Sequence, residues 1–234
     1  MGRLARRLVI VAAILAFVVA PSLVALYRLV PPPITILMVE RLFEGHGLHR
    51  RWEPISKISP VMVRSVIASE DSGFCSHHGF DLRAIEKAAR HDARIGTSGR
   101  GLLRGGSTIS QQTAKNVFLW PQRSFVRKGI EAWFTVLIEA IWGKRRIMEV
   151  YLNTVEMGPG LYGVEAASER YFGHSARALT PAEAARLAAI LPDPLKWRAV
   201  RPGPYVRRRA GTIDIRAITV GREDLAACVL SSER

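Results

Sequence analysis

From Leu8 to Tyr27 the chain carries no charged residue, and Arg3, Arg6 and Arg7 precede this stretch while Arg28 closes it. A run of roughly 20 uncharged, mostly apolar residues makes a helix about 30 Å long, the thickness of a bilayer's hydrocarbon core. The positive-inside rule then leaves residues 1–7 as a short cytoplasmic tail, residues 8–28 as a membrane anchor and all that follows on the outer face. A cleaved signal peptide is the rival reading. Val18-Val19-Ala20 has the small-residue character of a cleavage site, but the apolar run continues past it and Pro21 would follow the cut. The sequence therefore reads as a retained anchor. Pro31-Pro32-Pro33 then acts as a stiff spacer within a juxtamembrane linker over residues 29–50.

What remains is the size of one ordinary domain, large enough to bury a real core. A formal charge of +14, from 34 Lys and Arg against 20 Asp and Glu, favours anionic partners. Phospholipid headgroups, nucleic acid and phosphorylated substrates all qualify on charge alone. The two cysteines, Cys75 and Cys228, lie far apart and fit no metal-ligand spacing, so they are expected to be free thiols.

Apolar spacing downstream is mostly helical. Val63, Val66 and Ile67 follow Pro60; Leu82, Ile85, Ala88 and Ala89 follow a candidate N-cap at Asp81. Residues 131–142 read as a buried central helix, and Lys144 to Leu152 as another after a break at Gly143. Thr180-Pro181-Ala182-Glu183 is a capping box with proline at the first helical position, and Pro192 and Pro194 end the helix it starts. With no repeat, no sustained period of two and no hairpin signal, the fold class is all-α, or mainly so.

Three polar clusters carry the chemistry. The first runs from Glu70-Asp71 through Phe74, His77, His78 and Gly79 to Asp81, at the end of an apolar helix. Glu70 is a candidate general base, because apolar surroundings raise a carboxylate's pKa toward the range where it accepts protons usefully. Adjacent His77 and His78 point to different faces and lack further ligands, so no metal site is expected there. The second cluster is Gly105-Gly106-Ser107-Thr108-Ile109-Ser110-Gln111-Gln112, followed by Lys115 and Asn116. It offers close backbone approach, hydroxyls and amides suited to sugar or phosphate, but lacks the Gly-Lys-Ser/Thr ending of a P-loop. In the third, Arg127 and Glu131 share a helical face beside Lys128. Taken alone that pair is a surface ion pair.

Taken together, these clusters resemble in order the signature motifs of the peptidoglycan glycosyltransferase family. Further matches are Lys144-x-x-Ile147-x-Glu149-x-Tyr151-Leu152-Asn153 and Gly163-Val164-Glu165-Ala166-Ala167 leading to Tyr171-Phe172-Gly173, so the likeness spans residues 55–194. Val155-Glu156-Met157-Gly158 and the ending near Pro204-Tyr205-Val206 resemble the monofunctional branch. The resemblance implies a lysozyme-like two-lobed domain over residues 51–210, followed by a tail of residues 211–234 that matches no motif. It also implies a smaller lobe dipping into the outer leaflet, for which Val117-Phe118-Leu119-Trp120 is the choice of surface. Residues 95–103 are expected to form a mobile loop over the cleft.

The implied reaction joins lipid II units into β-1,4-linked glycan strands with release of undecaprenyl diphosphate. Glu70 would take the proton of the acceptor hydroxyl. Lys115, Arg127 and Lys128 would neutralise the departing diphosphate. Glu131 would orient these cations, assist departure or help hold a divalent ion, Mg or Mn, that is not tightly bound. Ser107, Thr108, Gln111, Gln112 and Asn116 are the other expected substrate contacts; Glu149, Tyr151 and Asn153 are expected to be structural. The implied partners are lipid II, the growing strand, membrane lipids and other cell-wall synthases, with no nucleic acid. Two rivals stand: an inactive cationic binding protein on the same anchor, and a lytic enzyme, which would have little use for three cations or an anchor.

Overall fold

The uncharged N-terminal stretch is helical in the computed structural model, which describes residues 2–82, 86, 107–122 and 124–231. Helix α1 (Arg3–Ile14) passes through a π turn (Leu15–Val19) into α2 (Ala20–Leu29). The wide turn has a cause in Pro21, which lacks an N–H and crowds the carbonyl four residues back. Arg6–Leu29 is long and apolar enough to cross a membrane, with a mean hydropathy of 2.8 and only 12% of that window buried.

The domain begins earlier than residue 51. Within the expected linker, Thr35 caps α3 (Ile36–Phe43) through its side chain, and β1 (His49–Arg50) pairs in parallel with β3 (Leu161–Tyr162). Strand β2 (Glu156–Gly158) completes a small sheet of order β1-β3-β2. The rest is helical: α4 (Pro60–Glu70), α5 (Ile109–Phe118), α6 (Phe125–Ile141), α7 (Gly143–Thr154), α8 (Val164–Phe172), α9 (Pro181–Ile190), α10 (Pro204–Arg222) and α11 (Ala227–Leu230). The mainly helical expectation holds.

The caps explain the boundaries. Thr180 and Glu183 form the expected capping box of α9, and Gly143 takes φ +74°, a conformation open to glycine, at the joint of α6 and α7. Helix α6 starts at Phe125, ahead of the expected residue 131, because Ser124 Oγ accepts from the Arg127 N–H and supplies an N-cap.

Two layers meet in one core. Helix α4 packs on α9 and α10, while α5 lies between α6 and α7. Met62, Val63, Val66 and Ile67 of α4 are fully buried, as are Leu187, Ala188 and Ile190 of α9. Each large apolar side chain so placed contributes about 1.5–3 kcal/mol.

Three expectations are corrected here. Residues 211–231 are not a tail: α10 runs straight through residue 210, and Ile213, Val220, Ala226 and Val229 are buried. Cys75 and Cys228 are not free thiols but a disulfide, with Cα atoms 5.6 Å apart. Folding α10 and α11 back onto α4 and α7 brings them together, which sequence separation could not reveal. The stretch at residues 117–120 is not an outward surface, since Val117 and Leu119 are buried and Phe118 stacks on Phe134 with centroids 4.4 Å apart. The exposed apolar side chains stand elsewhere, at Phe43 (87%), Phe125 (98%) and Val126 (70%). The proposed helix of Ile85, Ala88 and Ala89, the loop at residues 95–103, and Gly105-Gly106 lie outside the described residues.

Candidate active site

Glu70 is the last residue of α4, where the helix ends in a turn and its side chain leaves the core only 12% exposed. Burial raises its pKa above the ordinary carboxylate range. The Gln112 amide and the Arg209 guanidinium, which both favour the ionised form, hold that rise back. Gln112 on α5 donates Nε2–H to Glu70 Oε2 at 3.1 Å. Its own carbonyl accepts the Tyr151 hydroxyl at 3.2 Å. Tyr151 is fully buried, and burial together with the charges of Glu70 and Asp71 keeps its phenol protonated. The hydroxyl therefore donates, which fixes the Gln112 amide with its NH₂ toward Glu70. Arg209, on α10, brings Nη2 to 3.6 Å from Glu70 Oε1. Sequence reading missed Arg209 and took Tyr151 as mere support. The signal for Arg209 lay in a stretch without motifs, and only the return of α10 to α4 exposes it.

Asp71 secures the turn behind the base. Its carboxylate accepts the His77 Nε2–H at 2.9 Å and the backbone N–H of Ile109, the first residue of α5, at 3.0 Å. His77 Nδ1 accepts the Gly79 N–H at 3.1 Å. With one nitrogen accepting and the other facing a carboxylate, the ring is the Nε2–H tautomer, with no lone pair left for a metal. Gly79 sits at φ +88°, and a Cβ there would lie 2.8 Å from Thr135 Cγ2. This tight approach lets Thr108 donate its hydroxyl to the Gly79 carbonyl at 2.7 Å.

That bond settles part of the second cluster. Thr108 and Gln111 form a reciprocal capping box at the start of α5, and both are buried. The Thr108 hydroxyl is engaged by the Gly79 carbonyl and the Gln111 N–H, and Gln111 Oε1 by the Thr108 N–H, so both side chains serve the start of α5. Ser107, Gln112 and Lys115 are partly exposed, and Asn116 is 8% exposed on the same helix.

Glu131 lies one turn along α6 from Arg127. Arg127 Nη1 meets Glu131 Oε2 at 2.7 Å, and Lys128 Nζ donates to Oε1. The pair is not a surface ion pair, because the Arg127 and Glu131 side chains are 9% and 4% exposed. The Lys128 side chain is 42% exposed. Between the Glu70 and Glu131 groups stands α5, which carries Gln112, Lys115 and Asn116 and packs against the helix of Glu131.

Asn153 brackets Glu53 with two backbone bonds of 2.8 Å each, and Glu165 accepts from the Ala176 N–H at 2.7 Å, so both are structural. As a seat for a resident divalent ion the described residues fit poorly. Both Glu131 oxygens already hold cations, and no three His, Cys, Asp or Glu side chains converge.

A buried carboxylate of raised pKa, with a fixed amide beside it and separate cations on a neighbouring helix, suits acid–base chemistry on a substrate with an anionic group. Comparison with known proteins agrees. A family model described as Transglycosylase matches residues 38–216. The biosynthetic peptidoglycan transglycosylase of Caulobacter vibrioides is 58% identical over 98% of this chain and 100% of its own length. Those of Rhodospirillum centenum and Pseudomonas aeruginosa are 52% and 50% identical, covering 97% and 86% of this chain and 96% and 88% of their own lengths. On the family match across most of its length and on these relatives, the chain belongs to the transglycosylase family.

Proposed function

We propose that the chain is an inverting peptidoglycan glycosyltransferase that polymerises lipid II, with Glu70 as its general base. The observation that carries this is the Glu70 carboxylate itself: buried, raised in pKa, and aimed by the Tyr151–Gln112 chain. A base of this kind keeps enough affinity for a proton to take one from a sugar hydroxyl. As Glu70 removes that proton, the acceptor oxygen forms its bond to the donor's anomeric carbon. The bond from that carbon to the diphosphate breaks, and the electron pair leaves with the phosphate oxygen.

Lys128, Arg127 and Lys115 stabilise the charge that collects on the leaving group. Glu131 holds the first two in place and lowers the cost of burying Arg127. Ser107, Gln112 and Asn116 contact the sugars. A divalent ion, where it assists, comes with the diphosphate of the substrate, since the Glu131 oxygens are taken. No step above depends on it.

Membrane anchoring is the reading that the long apolar helix Arg6–Leu29 supports. Trp133 and Trp142 donate their indole N–H groups to the carbonyls of Ala16 (3.2 Å) and Val24 (2.6 Å). Arg146 caps the end of α2 through the Tyr27 carbonyl at 2.8 Å. The span thus packs on α6, which carries Arg127 and Lys128, and on α7. In this reading the domain stands on the outer face of the cytoplasmic membrane, where its lipid-linked substrate is presented.

The test is polymerisation of labelled lipid II by the detergent-solubilised protein, beside Glu70→Gln. Long lysozyme-sensitive strands from the wild type and none from the variant support the assignment. Strands from both would remove Glu70 as the base, and strands from neither would favour a binding protein.

A further inference from the structure

A second concavity is lined by none of the Glu70 or Glu131 groups. It is a cleft of about 900 Å³ whose walls include His46, His49, Arg50, Arg51, Glu169 and Arg170. Its place relative to the anchor is fixed by Arg50, whose Nη1 donates to the carbonyls of Pro32 at 2.7 Å and Pro33 at 2.8 Å. Helix α2 ends at Leu29, so the cleft adjoins the point where the chain leaves the span. Arg50 and Arg146, which caps α2, each lie 5.3 Å from the ring of Trp52, a stack that ties the cleft's wall to the anchor's end.

The lining combines charge with an apolar rim. Three arginines face one lining carboxylate, Glu169, which pairs with Arg51; Glu53, outside the lining, stands 4.0 Å from Arg51 Nε. Glu44 stands just outside, 3.7 Å from His46 Nε2. Arg170 is exposed and has no ion-pair partner among the described residues. Leu48, 40% exposed, lines the cleft, and Leu42 and Phe43 at the end of α3 are 48% and 87% exposed. Cationic walls beside exposed apolar side chains, at the exit of a membrane span, match an amphiphile with an anionic head.

We propose that this cleft binds the phosphodiester headgroup of an anionic glycerophospholipid. Arg51 and Arg170 supply the charge, Arg50 holds the wall, and the acyl chains lie along Leu48 and Phe43. The inference rests on the retained-anchor reading, which places the cleft at headgroup depth.

The test uses the full chain, delipidated in neutral detergent, titrated with phosphatidylglycerol or phosphatidylcholine and followed by native mass spectrometry. Wild type should retain phosphatidylglycerol about tenfold more tightly. The Arg51→Gln/Arg170→Gln variant should lose that preference while its melting temperature and its lipid II turnover in detergent stay unchanged. The Arg51→Lys/Arg170→Lys variant should keep most of the preference, which separates charge from misfolding. Equal retention of both lipids by wild type, or full preference in the Gln variant, overturns the proposal. Displacement by equimolar glycerol 3-phosphate overturns the lipid assignment in favour of a soluble phosphate ester. Failure of the anchor reading registers separately, as wild type released into the soluble fraction by alkaline extraction of membranes.

Discussion

Arg209 Nη2 stands 3.6 Å from Glu70 Oε1, so the last long helix bears on the charge of the carboxylate at the end of α4. Burial is the larger influence and raises the Glu70 pKa, while Arg209 and Gln112 oppose it. Arg209→Gln removes one brake, so the base stays protonated to a higher pH. The acid limb of the kcat/KM profile should move upward in pH, and turnover below that limb should fall. A lowered plateau with an unmoved limb would instead assign Arg209 to substrate binding.

For Glu70→Gln, activity and stability part company. Loss of a general base costs about 10²–10⁴ in rate. The folded pKa is raised, so the carboxylate's contribution to stability is fully present below its unfolded pKa and is lost as pH rises through the folded value. Wherever Glu70 is ionised, the native state bears a buried charge that the amide lacks. The variant should melt no lower than wild type at pH 7 and should lose the part of the pH dependence that comes from Glu70. A marked drop in melting temperature at pH 7 would mean that the Gln112 bond outweighs the cost of burial.

The place of Glu70 at the end of an apolar helix, and of Arg127, Lys128 and Glu131 on the first turns of another, was legible because close spacing fixes it. Arg127 and Glu131, four apart on a helix, meet as the period requires. What escaped depends on which face the tertiary fold covers. Tyr151 and Arg209 sit on helices whose local pattern says only apolar or basic; their meeting with Gln112 and Glu70 needs α7 and α10 in place. Thr108 and Gln111 looked like ligands because a capping box uses the same hydroxyl and amide groups that sugars do. Val117 to Trp120 looked like a membrane surface because an apolar run reads alike whether a core or a lipid covers it. The apolar N-terminal helix, the break at Gly143 and the box at Thr180 were plain in the sequence, since each is fixed by its nearest neighbours alone.

The Cys75–Cys228 bond closes a long loop between the turn that follows Glu70 and the short final helix. Cross-linking a loop of that size stabilises the fold by about 2–5 kcal/mol. It also forms only in an oxidising compartment, in keeping with a domain on the outer face. Cys228→Ser, or reductant added to wild type, should lower the melting temperature and loosen α10, with a fall in activity that follows Arg209 away from Glu70. Thiol titration of unfolded, unreduced protein should find no free cysteine; two reactive thiols would show that the bond is not made.

Arg127 and Lys128 hold the same carboxylate from different depths, and their losses should differ in kind. Arg127 is 9% exposed, so Arg127→Ala leaves Glu131 buried with one partner fewer and should cost about 3 kcal/mol in stability. Lys128 is 42% exposed, and an ion pair that open contributes at most about 1 kcal/mol. Lys128→Ala should therefore melt near wild type yet lose about a hundredfold in kcat/KM, as expected of one of the three cations proposed to stabilise the leaving group. Pairing Arg127→Ala with Glu131→Gln should recover much of the lost stability without recovering turnover, since neutralising both partners removes the stranded charge and the catalytic cation together. Thermal melts beside lipid II kinetics on all three variants measure the split; equal stability losses for Arg127→Ala and Lys128→Ala would mean that burial does not distinguish the two cations.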